Sequence, residues 1–299
     1  MDKTKVHLVL GSGGARGIAH IAVIEELEKQ GYEIVEVIGC SMGAVVGGIY
    51  AAGQLSEYKK WLTSLSRRDV FELLDFTFTK QGFIKGEKLF ARHLEVTGKF
   101  NIEEFKIPFT AVATDMKNNE EVHFKSGDLY KALRASVSIP GFFVPVVDNG
   151  RVLVDGGVLN PLPINLVNKE DDALIIAVNL NGRHNPAYDR KPGPDRIQEV
   201  QKWFENLLPD SVIEKRKRKQ KSEPEENSFS LIELMDSTFS FTQDRLTELM
   251  IDIHKPDKLI KIPRNASGMF DFDHAKEILE VGRESYNNVM NDEEYSTYN

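Results

Sequence analysis

The first 53 residues alternate between apolar runs and helix-like segments, and this alternation limits the fold more than any other feature of the sequence. An apolar run at 5–10 leads into the glycine-rich stretch 11–17, and residues 18–30 carry apolar side chains at helical spacing. A second apolar run at 33–39 precedes a helix of small residues at 41–53. This order predicts an α/β fold: three layers, α/β/α, around a mostly parallel central sheet.

The rest of the chain is expected to belong to the same domain, residues 1–299. Residues 5–180 form the predicted catalytic core. Prolines and charges dominate 181–230, apart from a predicted helix over 197–208, so we expect an insertion or lid-like segment there. Residues 231–290 are expected to add the helices and the strand that complete the fold.

Charge and composition exclude several classes of protein. The net charge of −8 predicts that the chain has no nucleic-acid partner, and the basic cluster at 215–221 is interpreted as a solvent-facing segment. The one cysteine, Cys40, excludes a disulfide framework and a multi-cysteine metal site. No apolar run is long enough to span a membrane, and the N-terminus is expected to form a strand rather than an export signal. These features favour a cytoplasmic location.

The glycine-rich stretch GSGGARG at 11–17 is compatible with two kinds of site. Its backbone N–H groups, at the start of a helix, are suited to hold the pyrophosphate of a dinucleotide. The same groups are suited to stabilise the oxyanion of an acyl-transfer intermediate. A dinucleotide site needs an acidic residue at the end of the second strand, whereas that strand leads here into Gly39-Cys40-Ser41-Met42-Gly43.

Gly-x-Ser-x-Gly between a strand and a helix is typical of a nucleophile elbow, with Ser41 as the candidate nucleophile. Gly39 and Gly43 would give the tight turn its clearance. The serine needs a base, and none of the seven histidines lies in an evident catalytic context. Asp155, at the end of a predicted strand and before Gly156 and Gly157, is an alternative that could accept the proton directly.

In combination, these segments resemble the patatin-like phospholipases. The glycine loop GSGGARG, the elbow GCSMG and the distant DGG at 155–157 occur in the order found in that family. The segment ASVSIPGFFVPV at 135–146 is similar to the family's segment before its aspartate, and the resemblance covers about residues 5–180.

The resemblance implies a catalytic dyad without histidine, in which Ser41 is the nucleophile and Asp155 its single partner. It implies an oxyanion hole built from Gly13 and Gly14, with Arg16 bracing the loop. Two positions, Ser12 and Cys40, depart from the family's usual pattern. The glycines expected to support the elbow and the two loops are Gly11, Gly17, Gly39, Gly43, Gly156 and Gly157.

The resemblance also implies a lipid or acyl-ester substrate, no cofactor and no metal, and it allows peripheral contact with a membrane. Phe142 and Phe143 are expected to border the site. The aromatic stretch from Phe71 to Ile84 could line an acyl channel or fill the core. Two alternatives stay open at this point: a catalytically silent binding module with the same fold, and a nucleotide-binding oxidoreductase. The sequence gives no indication of the oligomeric state.

Overall fold

The structure is a computed structural model, which describes residues 3–75, 84–168, 172–189 and 231–291. The predicted helix over 197–208, the basic cluster at 215–221 and most of the predicted insertion at 181–230 lie outside the described residues. The domain boundaries drawn from the sequence therefore stay predictions.

The strands and helices follow the predicted alternation closely. The strands are β1 Lys5–Leu10, β2 Glu33–Cys40, β3 Phe109–Asp115, β4 Glu120–Phe124, β5 Val146–Asp148, β6 Arg151–Asp155, β7 Leu174–Gly182 and β8 Lys258–Pro263. The α-helices are α1 Ala19–Lys29, α2 Met42–Ala51, α3 Leu55–Ser64, α4 Arg67–Leu73, α5 Glu87–Thr97, α6 Leu129–Ser136, α7 Leu231–His254 and α8 Ala275–Met290. A short 3₁₀ helix, Gly14–Ile18, precedes α1 and contains the end of the glycine loop.

The strands form one mixed sheet in the order β5-β6-β3-β2-β1-β7-β8, and β4 also pairs with β3. The five strands from β3 to β8 in this order are mutually parallel. The antiparallel strands β4, β5 and β6 extend one side of the sheet. The predicted α/β class with a mostly parallel sheet is confirmed.

Alternate residues of β1 face two separate apolar clusters, as the two-residue period of a strand requires. Leu8 and Leu10 face the larger cluster, which is built with helices α1, α2, α6 and α8. Val9 faces a smaller cluster with the turn at 161–167 and with Ile251 of α7. The sheet is thus covered on both faces.

The three neighbours of β3 bring two distant parts of the chain together. The first half of β3 pairs with β2, where Val112 lies opposite Cys40. The second half pairs with β6, where Ala113 lies opposite Asp155. Because β4 pairs with both halves, it occupies the other edge, and β2 and β6 share one edge of β3. Since β2 is parallel and β6 antiparallel to β3, the carboxyl ends of β2 and β6 meet.

Candidate active site

Ser41 occupies the sharp turn between β2 and α2, as predicted for a nucleophile elbow. Its backbone has φ 54° and ψ −123°, a conformation that costs a non-glycine residue on the order of 1–3 kcal/mol. The turn packs directly against β1, because a Cβ atom added at Gly43 would lie 2.1 Å from the carbonyl oxygen of Leu10. Ser41 is 2% exposed. The close packing of the turn on β1 therefore helps to hold the strained backbone of the serine in place.

Ser136, a residue that sequence reasoning did not single out, fixes the backbone of the elbow. The N–H of Ser41 donates to the Ser136 hydroxyl oxygen at 2.9 Å, and that hydroxyl donates to the carbonyl oxygen of Val112 at 2.6 Å. Ser136 lies at the end of α6, inside the segment 135–146 that carries part of the family resemblance. It is a hydrogen-bonded bridge between the elbow and β3.

Asp155 is completely buried at the end of β6. Its Oδ1 atom accepts the N–H of Gly157 at 2.7 Å and lies 3.9 Å from the sulfur of Cys40, whose thiol donates to it. Its own N–H donates to the carbonyl oxygen of Ser138 at 2.9 Å. The short segment that ends α6 thus holds the backbones of both predicted catalytic residues, two positions apart.

Burial raises the pKa of Asp155 from its ordinary value of 3.8 to about 7, although the hydroxyl of Ser41, the N–H of Gly157 and the thiol of Cys40 each lower it. The second oxygen, Oδ2, makes no hydrogen bond within the described residues. The Ser41 hydroxyl nevertheless acts on this carboxyl group, because it lowers the pKa of Asp155. A carboxyl group with a pKa near 7 is suited to take up and return a proton at neutral pH.

The glycine loop presents two backbone donors without a protein acceptor. The N–H of Ser12 donates to Pro161 at 2.9 Å, and that of Ala15 donates to Met269 at 2.9 Å. Between them, the N–H groups of Gly13 and Gly14 donate to no protein atom in the part of the chain that the structure describes. Adjacent, preorganised N–H groups are what an oxyanion hole requires.

Arg16 ties the glycine loop to the C-terminal part of the sheet. Its guanidinium donates to the carbonyl oxygens of Leu180 at 2.9 Å and Ser267 at 3.1 Å, and to the side-chain oxygen of Asn181 at 3.0 Å. A weaker contact at 3.4 Å reaches the carbonyl oxygen of Arg264. These bonds fix the loop to β7 and to the segment that follows β8.

The other predicted support glycines all lie where a side chain would collide with a neighbour. The distance from an added Cβ to the nearest atom is 2.2 Å at Gly17, 2.3 Å at Gly156, 2.5 Å at Gly39 and 2.9 Å at Gly11. The nearest atoms are backbone atoms at Gly11, Gly39 and Gly156 and the side chain of Met42 at Gly17, so close packing explains these glycines.

His20 supports the loop but is not placed as a base. Its Nε2 atom is 2.9 Å from the carbonyl oxygen of Gly11, and burial lowers its pKa to about 4. The neutral ring therefore donates to that carbonyl at physiological pH. None of the seven histidines, all within the described ranges, is hydrogen-bonded to Ser41.

An apolar pocket opens beside Ser41 and Gly14. Its walls are almost entirely aliphatic and aromatic, and they come mainly from helices α2 to α5: Met42, Val45, Tyr58, Trp61, Leu62, Val70, Leu73, Leu74, Leu89, Phe90 and His93. Burial lowers the pKa of His93 to about 3, so this ring is also neutral. The pocket is suited to hold a hydrocarbon chain whose ester group lies at the serine.

The two phenylalanines predicted to border the site have different positions. Phe143 lines the pocket, whereas Phe142 packs against Phe270 with 5.7 Å between ring centroids. In the aromatic stretch, Leu73 and Leu74 line the pocket and Phe71 is 43% exposed. Three further members lie outside the described residues: Phe76, Phe78 and Phe83.

Within the described ranges, no group of three or more His, Cys, Asp or Glu side chains is placed to hold a metal ion. No helix among the same residues is both long and apolar enough to cross a membrane.

Comparison with known proteins identifies the class of protein that this fold and site define. A family model described as patatin-like phospholipase matches residues 8–167, which is more than half of the chain. The chain therefore belongs to the patatin-like phospholipase family and is a lipid acyl hydrolase by class. This membership favours the acyl-transfer interpretation of the glycine loop over the dinucleotide interpretation.

Two relatives and one solved structure show how far the similarity of this chain extends. An uncharacterized NTE family protein of Mycobacterium tuberculosis is 35% identical over 321 residues, which cover 93% of this chain and 89% of that protein. Lysophospholipase NTE1 of Scheffersomyces stipitis is 32% identical over 200 residues, covering 64% of this chain and only 12% of that protein. The crystal structure of VipD from Legionella pneumophila has a TM-score of 0.43 and 14% identity, over 96% of this chain and 67% of that one.

Proposed function

We propose that the chain cleaves acyl esters of lipids through a Ser41–Asp155 dyad, with Gly13 and Gly14 as the oxyanion hole. The observation that carries the proposal is the meeting of β2 and β6, which brings a strained serine beside a buried carboxyl whose pKa is about 7. No histidine takes part.

In the first half of the reaction, the Oγ of Ser41 attacks the ester carbonyl while Asp155 accepts the hydroxyl proton. The N–H groups of Gly13 and Gly14 stabilise the negative charge that develops on the carbonyl oxygen. Asp155 then gives the proton to the departing alcohol, which leaves an acyl-enzyme. In the second half, Asp155 takes a proton from water as the water attacks, and returns it to Ser41.

The apolar pocket supports a substrate with a hydrocarbon acyl chain. Its walls offer almost no polar atoms, so specificity for a head group would arise outside it. The relative named a lysophospholipase supports a substrate of the lysophospholipid type, within a range that includes phospholipase A and simple esterase substrates. Cytoplasmic location and peripheral contact with a lipid surface fit this proposal.

The test is hydrolysis of p-nitrophenyl esters of short and long chain, and of a lysophospholipid, by the wild type, Ser41→Ala and Asp155→Asn. We expect both variants to lose activity by more than about 10³-fold while their circular dichroism stays that of the wild type. Thr247→Val, a buried change elsewhere on α7, serves as the control for general damage.

Three outcomes would change the proposal. Near-normal activity of Asp155→Asn would eliminate the dyad and return the search for a base to the histidines. A wild type that hydrolyses no ester but reacts with a fluorophosphonate would keep the activated serine and reject the substrate. A wild type silent in both assays would support the alternative of a binding module.

A further inference from the structure

Helix α7 lies outside residues 8–167, which the family model matches. It crosses the side of the molecule that holds Ser41 and Asp155. Positions 235, 239, 243, 247 and 251 of this helix recur every four residues and form one stripe along it. Met235 approaches Gly141 near the pocket, and Phe239 packs on the apolar cluster that contains Phe143. Ile251 packs on the cluster on the far face of the sheet. The middle of the stripe therefore passes over the dyad.

Gln243, at the centre of that stripe, is only 5% exposed. Burying a side-chain amide is unfavourable unless it is hydrogen-bonded. Its Nε2 atom donates to the hydroxyl oxygen of Ser12 at 3.1 Å. Ser12 directly precedes Gly13 and Gly14, so this bond fixes the loop one residue from its unpaired N–H groups.

The same amide lies against the turn that follows Asp155. A Cβ atom added at Gly157 would be 2.0 Å from Nε2 of Gln243 and 3.0 Å from Oδ1 of Asp155. The sum of these distances, 5.0 Å, is the largest possible separation of Nε2 and Oδ1. Gly157 is also the residue whose N–H donates to Oδ1 at 2.7 Å. The glutamine amide thus occupies the space that glycine leaves beside the carboxyl.

We propose that Gln243 is a positioning residue that couples the oxyanion loop to the Asp155 turn. It binds the loop through the Ser12 hydroxyl and packs on the backbone of Gly157, so one side chain sets the distance between the two halves of the machinery. The inference rests on the proposed function and adds a residue from outside residues 8–167 to it.

The central test compares Gln243→Met, which keeps the length of the side chain and removes the amide, with Thr247→Val, a buried polar deletion one turn away on the same stripe. We expect Gln243→Met to lower kcat for a p-nitrophenyl ester between about 10-fold and about 100-fold, with KM changed less than about threefold. Fluorophosphonate labelling should slow in parallel, while Thr247→Val stays within about twofold of the wild type. Equal losses in the two variants would reduce Gln243 to a structural role and overturn the proposal.

Two further measurements examine the mode of action. If Gln243 acts through Ser12, Gln243→Met and Ser12→Ala will be non-additive, and the double variant will be no slower than the slower single variant. Gln243→Glu places a second carboxylate beside Asp155, so the acid limb of kcat/KM should move to higher pH. Additive losses, or an unmoved acid limb, would contradict the coupling.

The outcome for the wild type separates this proposal from the proposed function. If the wild type is active and Gln243→Met has the same kcat, only the positioning role fails. If the wild type neither hydrolyses an ester nor reacts with a fluorophosphonate, the proposed function fails, and the positioning role fails with it.

Discussion

Replacing Asp155 by asparagine should stabilise the protein at alkaline pH, although it is expected to abolish activity. The side chain is completely buried, and its pKa is raised from 3.8 to about 7. Each unit of such a shift corresponds to 1.36 kcal/mol, so ionising Asp155 in the folded protein destabilises it by about 4 kcal/mol relative to the unfolded chain. Asparagine keeps the Oδ1 acceptor for Gly157 and carries no charge.

The sign of this pH dependence follows from which state holds the proton. Between about pH 4 and pH 7, Asp155 is protonated in the folded protein and ionised in the unfolded chain, so the folded state binds more protons and stability falls as the pH rises. The contribution of the bound proton is complete below pH 3.8 and is lost as the pH passes through about 7. Asp155→Asn has no such proton to lose. Its free energy of unfolding, relative to that of the wild type, therefore increases over the same pH interval.

The measurement is urea denaturation of the wild type and Asp155→Asn at several pH values between about 4.5 and 8.5, with both transitions checked for two-state behaviour. We expect the difference in the free energy of unfolding to increase in favour of the variant by several kcal/mol across this range. Asp252→Asn, which neutralises an exposed carboxylate, should change stability by less than about 0.5 kcal/mol. A difference between the wild type and Asp155→Asn that is constant with pH would refute the assignment of a raised pKa to Asp155.

Three other predictions test the same site. The kcat/KM for a soluble short-chain ester should rise with pH through about 7, because Asp155 must be ionised to accept the serine proton, and a flat profile from pH 5 to 9 would contradict this. Ser136→Ala removes the acceptor for the Ser41 N–H, so kcat should fall between about 10-fold and about 100-fold, and an effect on KM alone would argue against this role. Leu73→Trp should shift chain-length preference towards shorter esters by filling the pocket, whereas Phe71→Trp, at an exposed position of the same helix, should leave it unchanged in the same p-nitrophenyl ester series.

The local structure of this site could be predicted because it depends on short segments. The apolar runs before the glycine loop and before the elbow fix two strands, and the glycines around Ser41 fix the turn between strand and helix. In each case the information lies within about ten neighbouring residues. Fold class and family follow from the order of such segments, and both are confirmed.

Residues that act across the fold could not be predicted in the same way. Ser136 and Gln243 act through side-chain hydrogen bonds to residues 95 and 231 positions away. A serine at a helix end and a glutamine within a helix are ordinary residues in those local settings. Similarly, Phe142 and Phe143 are adjacent in sequence and pack in the same apolar cluster, but only Phe143 lines the pocket. Which of two neighbours faces a cavity depends on the elements packed around them.

Strand β3 pairs with β2 along one half of an edge and with β6 along the other half, and this change of partner brings the proposed catalytic pair together although its members are far apart in sequence. β2 ends at Cys40, and β6 continues the same edge from the opposite direction and ends at Asp155. At this junction the chain holds two unfavourable features, the left-handed backbone of Ser41 and a buried carboxyl, and both would be relieved if the strand ends separated. The bonds from Ser136 and Ser138 oppose that separation, because the same short segment binds the N–H of Ser41 and the N–H of Asp155. The fold thus holds near each other the strained serine and the buried carboxyl that we propose as a catalytic pair.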